Sequence, residues 1–148
     1  TYSVSGAKYA FVNGNDLRLE WIYYEAGFTQ AQMHQVWKIM TDKSLAQLIQ
    51  LPANLPRINK SGLEFTGKQN VLLSFKWMEP RNIKDLKIYF RDLVSMQDYS
   101  QTFFVSSEYA LGNSGELFKS LAINTGSMDS EHRGPVDFSL TAGYRHSW

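Results

Sequence analysis

The sequence contains no cysteine, and this absence excludes several kinds of site at once. Without thiols the chain forms no disulfide, uses no thiolate nucleophile and offers no cysteine ligand to a metal. Its apolar runs are also short, far below the ~20 residues that a membrane-spanning helix requires. We therefore predict no membrane span within this chain, and a soluble fold held together by its own core.

Neither sign of charge is in clear excess. Fifteen basic residues stand against fourteen acidic ones, for a formal net charge of +1. Because neutralising phosphates needs a clustered basic surplus, we predict no nucleic-acid partner. No signal-peptide pattern is visible, yet the chain begins at Thr1 and runs directly into strand-like residues. Such a start is typical of a mature exported protein or of a domain cut from a longer chain, and it predicts a periplasmic or extracellular location.

Aromatic side chains, in contrast, are abundant. The chain has nine Phe, eight Tyr and four Trp. Broad rings favour strands because they pack well on a pleated surface, and Tyr and Trp are enriched at binding surfaces. The composition therefore favours a β-rich protein with a surface that binds a partner or a ligand.

Two alternating segments around an Asn-Gly pair predict an N-terminal hairpin. Residues 2–12 and 17–25 both have the period-2 pattern of a strand. Asn13 and Gly14 lie between them and readily take the positive φ angles of a tight turn.

A helical block is predicted over residues 29–50. Thr29 followed by Gln32 is a capping box, and Met33, Val36, Trp37 and Met40 continue it at helical spacing. We interpret the block as one helix near 30–40 and a second near 42–50.

In the remainder of the chain the sequence predicts mostly strands. Residues 63–67 and 70–78 predict a strand pair, 101–111 a further strand and 136–148 a last one. The segment 83–94 suits both a strand and a helix, and its β-branched and aromatic content favours the strand. Ser114 followed by Leu117, Phe118, Leu121 and Ala122 predicts a short capped helix.

These elements predict one domain over residues 1–148 with an α+β fold. The expected architecture is an antiparallel, curled or half-barrel sheet with the helical block of residues 29–50 packed on one face. Hairpin and meander connections are the simplest way to join the strands.

No pattern in the sequence predicts a catalytic residue, a metal ligand or a cofactor. A nucleophile elbow, a glycine phosphate loop and a paired-histidine motif are all missing. Asp129, Glu131 and His132 lie close together, but their spacing fits no calcium loop, so we predict that they form no metal site.

The last eleven residues resemble the terminal strand of outer-membrane β-barrels. The matching positions are Phe138, Leu140, Tyr144 and the final Trp148. His146 departs from the pattern, which has an aromatic residue third from the end. A barrel of eight strands needs strands of ~9–11 residues with short turns. We expect six or seven shorter strands and a helical block, which favours a final strand that completes a soluble sheet.

The leading functional hypothesis is a non-enzymatic binding module of the sensor or assembly type. Its partner would be another protein or a small apolar ligand. Arg18, Glu20 and Tyr24 are the predicted binding residues, because they share the more polar face of the second strand and such a mixture is typical of an interface rim. An enzyme whose carboxylates and tyrosines meet only in three dimensions, and a subunit of a larger envelope or extracellular assembly, remain as alternatives.

Overall fold

Seven strands form one antiparallel sheet in which each strand pairs with its neighbours in the sequence. The computed structural model describes residues 1–42, 67–112, 114–127, 130–132 and 137–146. The elements are β1 (Tyr2–Ala10), β2 (Asp16–Tyr24), α1 (Gln30–Asp42), β3 (Gln69–Met78), β4 (Leu86–Ser95), β5 (Gln101–Leu111), β6 (Gly115–Thr125) and β7 (Phe138–His146). A single 3₁₀ turn, Pro80–Asn82, lies between β3 and β4.

The predicted N-terminal hairpin is confirmed. β1 and β2 pair in register from Tyr2 opposite Tyr24 to Ala10 opposite Asp16. Gly14 adopts a φ of 82° in the connecting turn, a left-handed conformation that glycine reaches without steric cost.

The predicted α+β fold with a helical block over residues 29–50 packed on the sheet is wrong. The protein is mostly β, and α1 is only 13 residues long. Its capping box does form, since the Thr29 N–H donates to Gln32 Oε1 at 3.0 Å. Instead of covering the sheet, α1 buries Met33 and Val36 against Phe28 and the end of β2. Residues 43–50 lie outside the described part of the chain, as do residues 63–66 of the strand predicted at 63–67.

The short helix predicted after Ser114 is also wrong, because this segment is strand β6. Leu117 and Leu121 are four residues apart, a spacing that fits a helix face and one side of a strand equally well. β6 pairs along its whole length with β5 and over nine residues with β7. Those two backbone ladders override the weak local helical preference.

The remaining strand predictions are confirmed, and the strands are longer than expected. The ambiguous segment 83–94 contains strand β4, and 101–111 coincides with β5. β7 occupies the centre of the last predicted segment. All seven strands have nine to eleven residues, which removes the strand-length objection to a resemblance with membrane-spanning strands.

The pairing register divides the sheet into two faces of opposite chemistry. Residues directly opposite each other on paired strands point to the same side, and successive residues alternate between sides. We call one side the apolar face. Its larger members are Tyr9, Leu17, Leu19, Trp21, Tyr23, Val71, Leu73, Phe75, Trp77, Leu86, Ile88, Phe90, Val94, Phe103, Val105, Tyr109, Leu111, Leu117, Leu121, Ile123, Phe138, Leu140 and Tyr144.

We call the other side the polar face. Besides Ile22, Tyr24, Leu72, Met78, Leu93, Phe104 and Phe118 it carries charged and hydroxyl side chains on every strand after β1. The principal ones are Asp16, Arg18, Glu20, Ser74, Lys76, Lys87, Tyr89, Arg91, Thr102, Ser106, Glu108, Glu116, Ser120, Thr141 and Arg145.

Candidate functional site

The apolar face is widely exposed, although it contains most of the large hydrophobic side chains of the sheet. Leu19 is 52% exposed, Leu73 46% and Leu140 72%. These three residues lie on β2, β3 and β7, so the exposed surface extends across the sheet rather than forming a local patch. Monomeric proteins in water rarely expose contiguous apolar patches larger than a few hundred Å². A face of this extent therefore marks a surface that is covered in the working state.

Four amphipathic rings form a row along one border of the apolar face. Tyr9, Trp77, Tyr109 and Tyr144 lie on β1, β3, β5 and β7, each within three residues of the strand end. These four residues lie near the carboxyl ends of their strands. Because alternate strands of a meander run in the same direction, the four carboxyl ends meet at the same end of the sheet. Tyr and Trp concentrate where an apolar medium meets water, since their rings are apolar and their polar tips need a partner.

Two charged residues interrupt the apolar face. Asp92 is opposite Leu73 and Phe103 near the far end of β4. Lys119 lies on β6, and its long apolar stem allows the ammonium group to reach water beyond the face. The rest of the face has neutral side chains, so its overall character stays apolar.

Ion pairs neutralise most of the carboxylates on the polar face. Arg145 contacts Glu116 at 2.5 Å across β6 and β7. Lys8 lies 3.7 Å from Asp16, and Arg18 lies 3.5 Å from Glu20. Burial raises the pKa of Tyr89, and the fourth carboxylate, Glu108, acts in the same direction. We interpret this arrangement as a polar network on a hydrated surface, because each of these acidic groups interacts with a neighbouring side chain.

Two recesses open on the polar face. The larger, of about 590 Å³, lies over β4 to β7 and is lined by Tyr89, Arg91, Phe104, Ser106, Glu108 and Arg145 among others. The smaller, of about 320 Å³, lies over β2 to β4 and is lined by Asp16, Arg18, Ser74, Lys76 and again Tyr89 and Arg91. Both have the size of small-molecule sites. Among the described residues, one carboxylate lines each recess, Glu108 the larger and Asp16 the smaller, so these residues supply neither recess with the carboxylate pair that the enzyme alternative would use.

The predicted binding residues do not occupy one common environment. Arg18 and Glu20 form their ion pair on the half-buried polar face. Tyr24 is 9% exposed and packs in the small core with Phe28, Met33 and Val36. Arg18 lines the smaller recess, whereas the Tyr24 ring is held inside the fold. Their role in binding stays a prediction.

A polar cluster closes the end of the sheet that carries α1. Asp98 accepts hydrogen bonds from the Ser100 N–H at 3.0 Å, the Ser100 hydroxyl at 2.6 Å and the Glu131 N–H at 2.6 Å. Burial raises the pKa of Asp98, but these hydrogen bonds outweigh it and leave the pKa below the usual 3.8. Glu131 in turn accepts the Gly67 N–H. The cluster therefore joins three connections and is structural.

His132 belongs to the same cluster. The backbone N–H of His132 donates to the Ser100 hydroxyl at 3.1 Å, and the ring Nε2 is buried with no hydrogen-bond partner in the described residues. Burial lowers the pKa of His132 below 6.5, although the carboxylates of Glu131, Asp98 and Asp92 act in the opposite direction. A metal is not indicated, since no cluster of three potential ligands forms among the described residues. Asp129 lies outside them, and the absence of a metal site stays a prediction.

We expect acid to destabilise the fold through His132. A folded-state pKa below the unfolded value means that the unfolded chain binds more protons, so stability is full above pH 6.5 and decreases as the pH falls through that value. His132→Gln should flatten this part of the pH dependence of urea unfolding. The loss caused by Asp98 should remain, because it begins only near pH 3.8. An unchanged slope between pH 7 and 5, in ~0.1 M salt, would contradict this assignment.

Sequence reasoning missed the residues that line both recesses. Tyr89 and Arg91 alternate with Ile88 and Phe90, a signal that was visible in the strand pattern of residues 86–95. The pattern did not reveal that Lys76 lies opposite Tyr89, because that contact depends on the register between β3 and β4.

Within the described ranges, no helix is long and apolar enough to cross a membrane. Comparisons of the chain with protein-family models, with curated proteins and with solved structures return no match.

Proposed function

We propose that this protein is embedded in a membrane through its sheet, with the apolar face towards lipid and the polar face towards a water-filled interior that holds or passes small polar solutes. The observation that carries the proposal is the exposed apolar face, which extends from β2 to β7. Lipid matches an apolar face of this extent, because lipid molecules can cover an apolar surface of any size and shape.

The dimensions of the strands support this proposal. A strand of ~9–11 residues crosses the hydrocarbon core of a bilayer when it is tilted. The seven strands have nine to eleven residues each. The row formed by Tyr9, Trp77, Tyr109 and Tyr144 then lies where the hydrocarbon meets water, which is the usual position of such rings in membrane-spanning sheets.

The two ends of the sheet differ in the way that membrane-spanning sheets do. At one end the connections are short, and at the other they include two long ones. The short connections are residues 11–15, 79–85 and 112–114, and those at the other end are residues 25–68, 96–100 and 126–137. α1 and the Asp98 cluster both lie at the end with the long connections, beyond the apolar face.

The outer edges of β1 and β7 impose one requirement. Both are edge strands among the described elements, so a row of backbone N–H and C=O groups lies along each. Hydrocarbon offers no hydrogen bonds, and open sheet edges do not occur in it. The proposal therefore requires that both edges be hydrogen-bonded in the membrane-embedded protein, either to each other or to another strand.

A protein partner is the rival covering for the apolar face. A standard interface buries ~800 Å² on each partner and is confined to a bounded patch with a polar rim. The apolar face instead reaches β7, where Leu140 is among its most exposed members. Recognition of a protein would leave much of such a face in water, which is why lipid is the better match.

Fluorescence quenching by lipids with brominated acyl chains tests the proposal directly. Trp21 and Trp77 both lie on the apolar face, so variants that keep one of them, with the other three tryptophans replaced by phenylalanine, should be strongly quenched. A matched control introduces Phe104→Trp into a chain without other tryptophans, because Phe104 lines the larger recess on the polar face. Its quenching should be weak.

Equal quenching of apolar-face and polar-face tryptophans would contradict the proposed orientation. Recovery of the protein as a monodisperse species without detergent or lipid would contradict membrane insertion itself. Saturation of the apolar face by a protein partner, with no quenching by brominated lipid, would favour the binding-module alternative.

A further inference from the structure

Arg91 lies at the centre of the polar face and lines both recesses. It is opposite Ser74 on β3 and Phe104 on β5. Its neighbour along the strand, Tyr89, lines both recesses too. Arg91 is the one exposed residue of β4, and it lines both recesses.

The charges of the polar face leave Arg91 without an acidic partner. The carboxylates of Asp16, Glu20 and Glu116 are held by Lys8, Arg18 and Arg145, and Glu108 lines the larger recess beside Tyr89. Within the described part of the chain, no carboxylate lies within ion-pair distance of Arg91 or Lys76. These two cations lie with the hydroxyls of Ser74 and Ser106 in the middle of the face, and Asp16 lies opposite Lys76 on β2.

From this arrangement we infer a binding site for the phosphate or carboxylate group of a small solute, centred on Arg91 with Lys76 beside it. The inference rests on the proposed function, because it assigns the solute class to the polar face. A guanidinium presents a planar fork that binds two oxygens of such a group at once. Lys76 adds a second charge, and Ser74 and Ser106 lie opposite Arg91 and Tyr89 as hydroxyl donors.

The volume above Arg91 sets the size of the solute. The recesses of about 590 and 320 Å³ share the Tyr89–Arg91 boundary, so a bound anion has room for an organic part on either side. The Tyr89, Phe104 and Phe118 rings line the larger recess and supply apolar contact for it. A lipid headgroup shares the same chemistry, but the polar face is opposite to the side that the acyl chains would cover.

Calorimetric titration with inorganic phosphate and with acetate, on detergent-solubilised protein at low ionic strength, tests this site. Arg91→Gln should weaken phosphate binding by at least ~10-fold, because it removes a charged, two-pronged donor. The matched control is Arg81→Gln, the same substitution at an exposed position in the turn between β3 and β4. It should change phosphate affinity by less than ~2-fold, since Arg81 lines neither recess and the attraction between charges in water decreases with distance.

A second arm separates the two sources of the anionic group. Association with vesicles of phosphatidylglycerol, relative to phosphatidylcholine, should be the same for Arg91→Gln and the unmodified protein. Loss of vesicle association without loss of phosphate binding would overturn the inference in favour of a headgroup site. Absence of phosphate and acetate binding by the unmodified protein, or equal weakening by Arg81→Gln, would overturn it as well.

Failure of this site and failure of membrane insertion give different results. Quenching by brominated lipid with no anion binding removes the site and keeps the proposed function. Anion binding abolished by Arg91→Gln, with no quenching of Trp21 or Trp77, keeps the site and removes the proposed function.

Discussion

Leu121→Arg is expected to prevent stable insertion of the protein into bilayers. Leu121 lies near the middle of β6 on the apolar face, opposite Val105 and Leu140. A charged arginine at the bilayer midplane of a membrane-spanning sheet costs about 2–4 kcal/mol. That cost is a large share of the stability of a typical domain, which is roughly 5–15 kcal/mol. Folding into lipid vesicles, followed by protease protection and by urea unfolding, measures the effect.

The adjacent residue provides the matched control for this prediction. Ser120 precedes Leu121 on the same strand, and its side chain lies on the polar face opposite Ser106 and Thr141. Ser120→Arg should insert normally, with a change in the free energy of unfolding below ~1 kcal/mol, because water surrounds that side. If both substitutions have the same effect, or if Leu121→Arg improves recovery without detergent, then water and not lipid covers the apolar face.

Phe28→Ala is expected to have the second large effect, at the end of the sheet that carries α1. Phe28 is 2% exposed and packs with Tyr24, Met33 and Val36. Its carbonyl also accepts the Lys68 N–H at 3.1 Å. Removing a buried phenylalanine costs about 3–5 kcal/mol through lost burial and the cavity that remains. Because this core is small, the substitution should detach α1.

Hydrogen exchange at the amides of α1 measures this loss. The Met33 N–H, which donates to the Thr29 carbonyl at 2.9 Å, should exchange much faster in Phe28→Ala, while amides in the centre of β4 should keep their protection. Phe11→Ala is the control, since Phe11 is exposed in the turn between β1 and β2. Retained protection of α1 in Phe28→Ala would show that the helix is stabilised by other contacts.

Local signals in the sequence were sufficient wherever the structure-forming interaction is itself local. The Asn13-Gly14 turn and the Thr29–Gln32 capping box both involve residues within four positions of each other, and both form. The segment after Ser114 failed because its spacing fits a helix and a strand alike, and only its pairing with distant residues of β5 and β7 decides between them.

The candidate site could not be located from the sequence for the same reason. Arg18, Glu20 and Tyr24 share one side of β2, as predicted, but the burial of Tyr24 depends on α1 folding back over the end of that strand. Arg91 and Lys76 are 15 positions apart and come together through the register that places Lys76 opposite Tyr89. A shift of one residue in that register would move Lys76 to the other face.

By itself, the sequence determined that the protein is rich in strands and that several of them have one apolar and one polar side. Alternation with a period of two is a property of each segment alone, so it is visible without any partner. Only the tertiary structure decided that the apolar sides of β2 to β7 share a single face. Side-chain alternation leaves the relative register of two strands open, whereas their backbone hydrogen bonds set it and thereby place apolar residues beside apolar residues across the whole sheet.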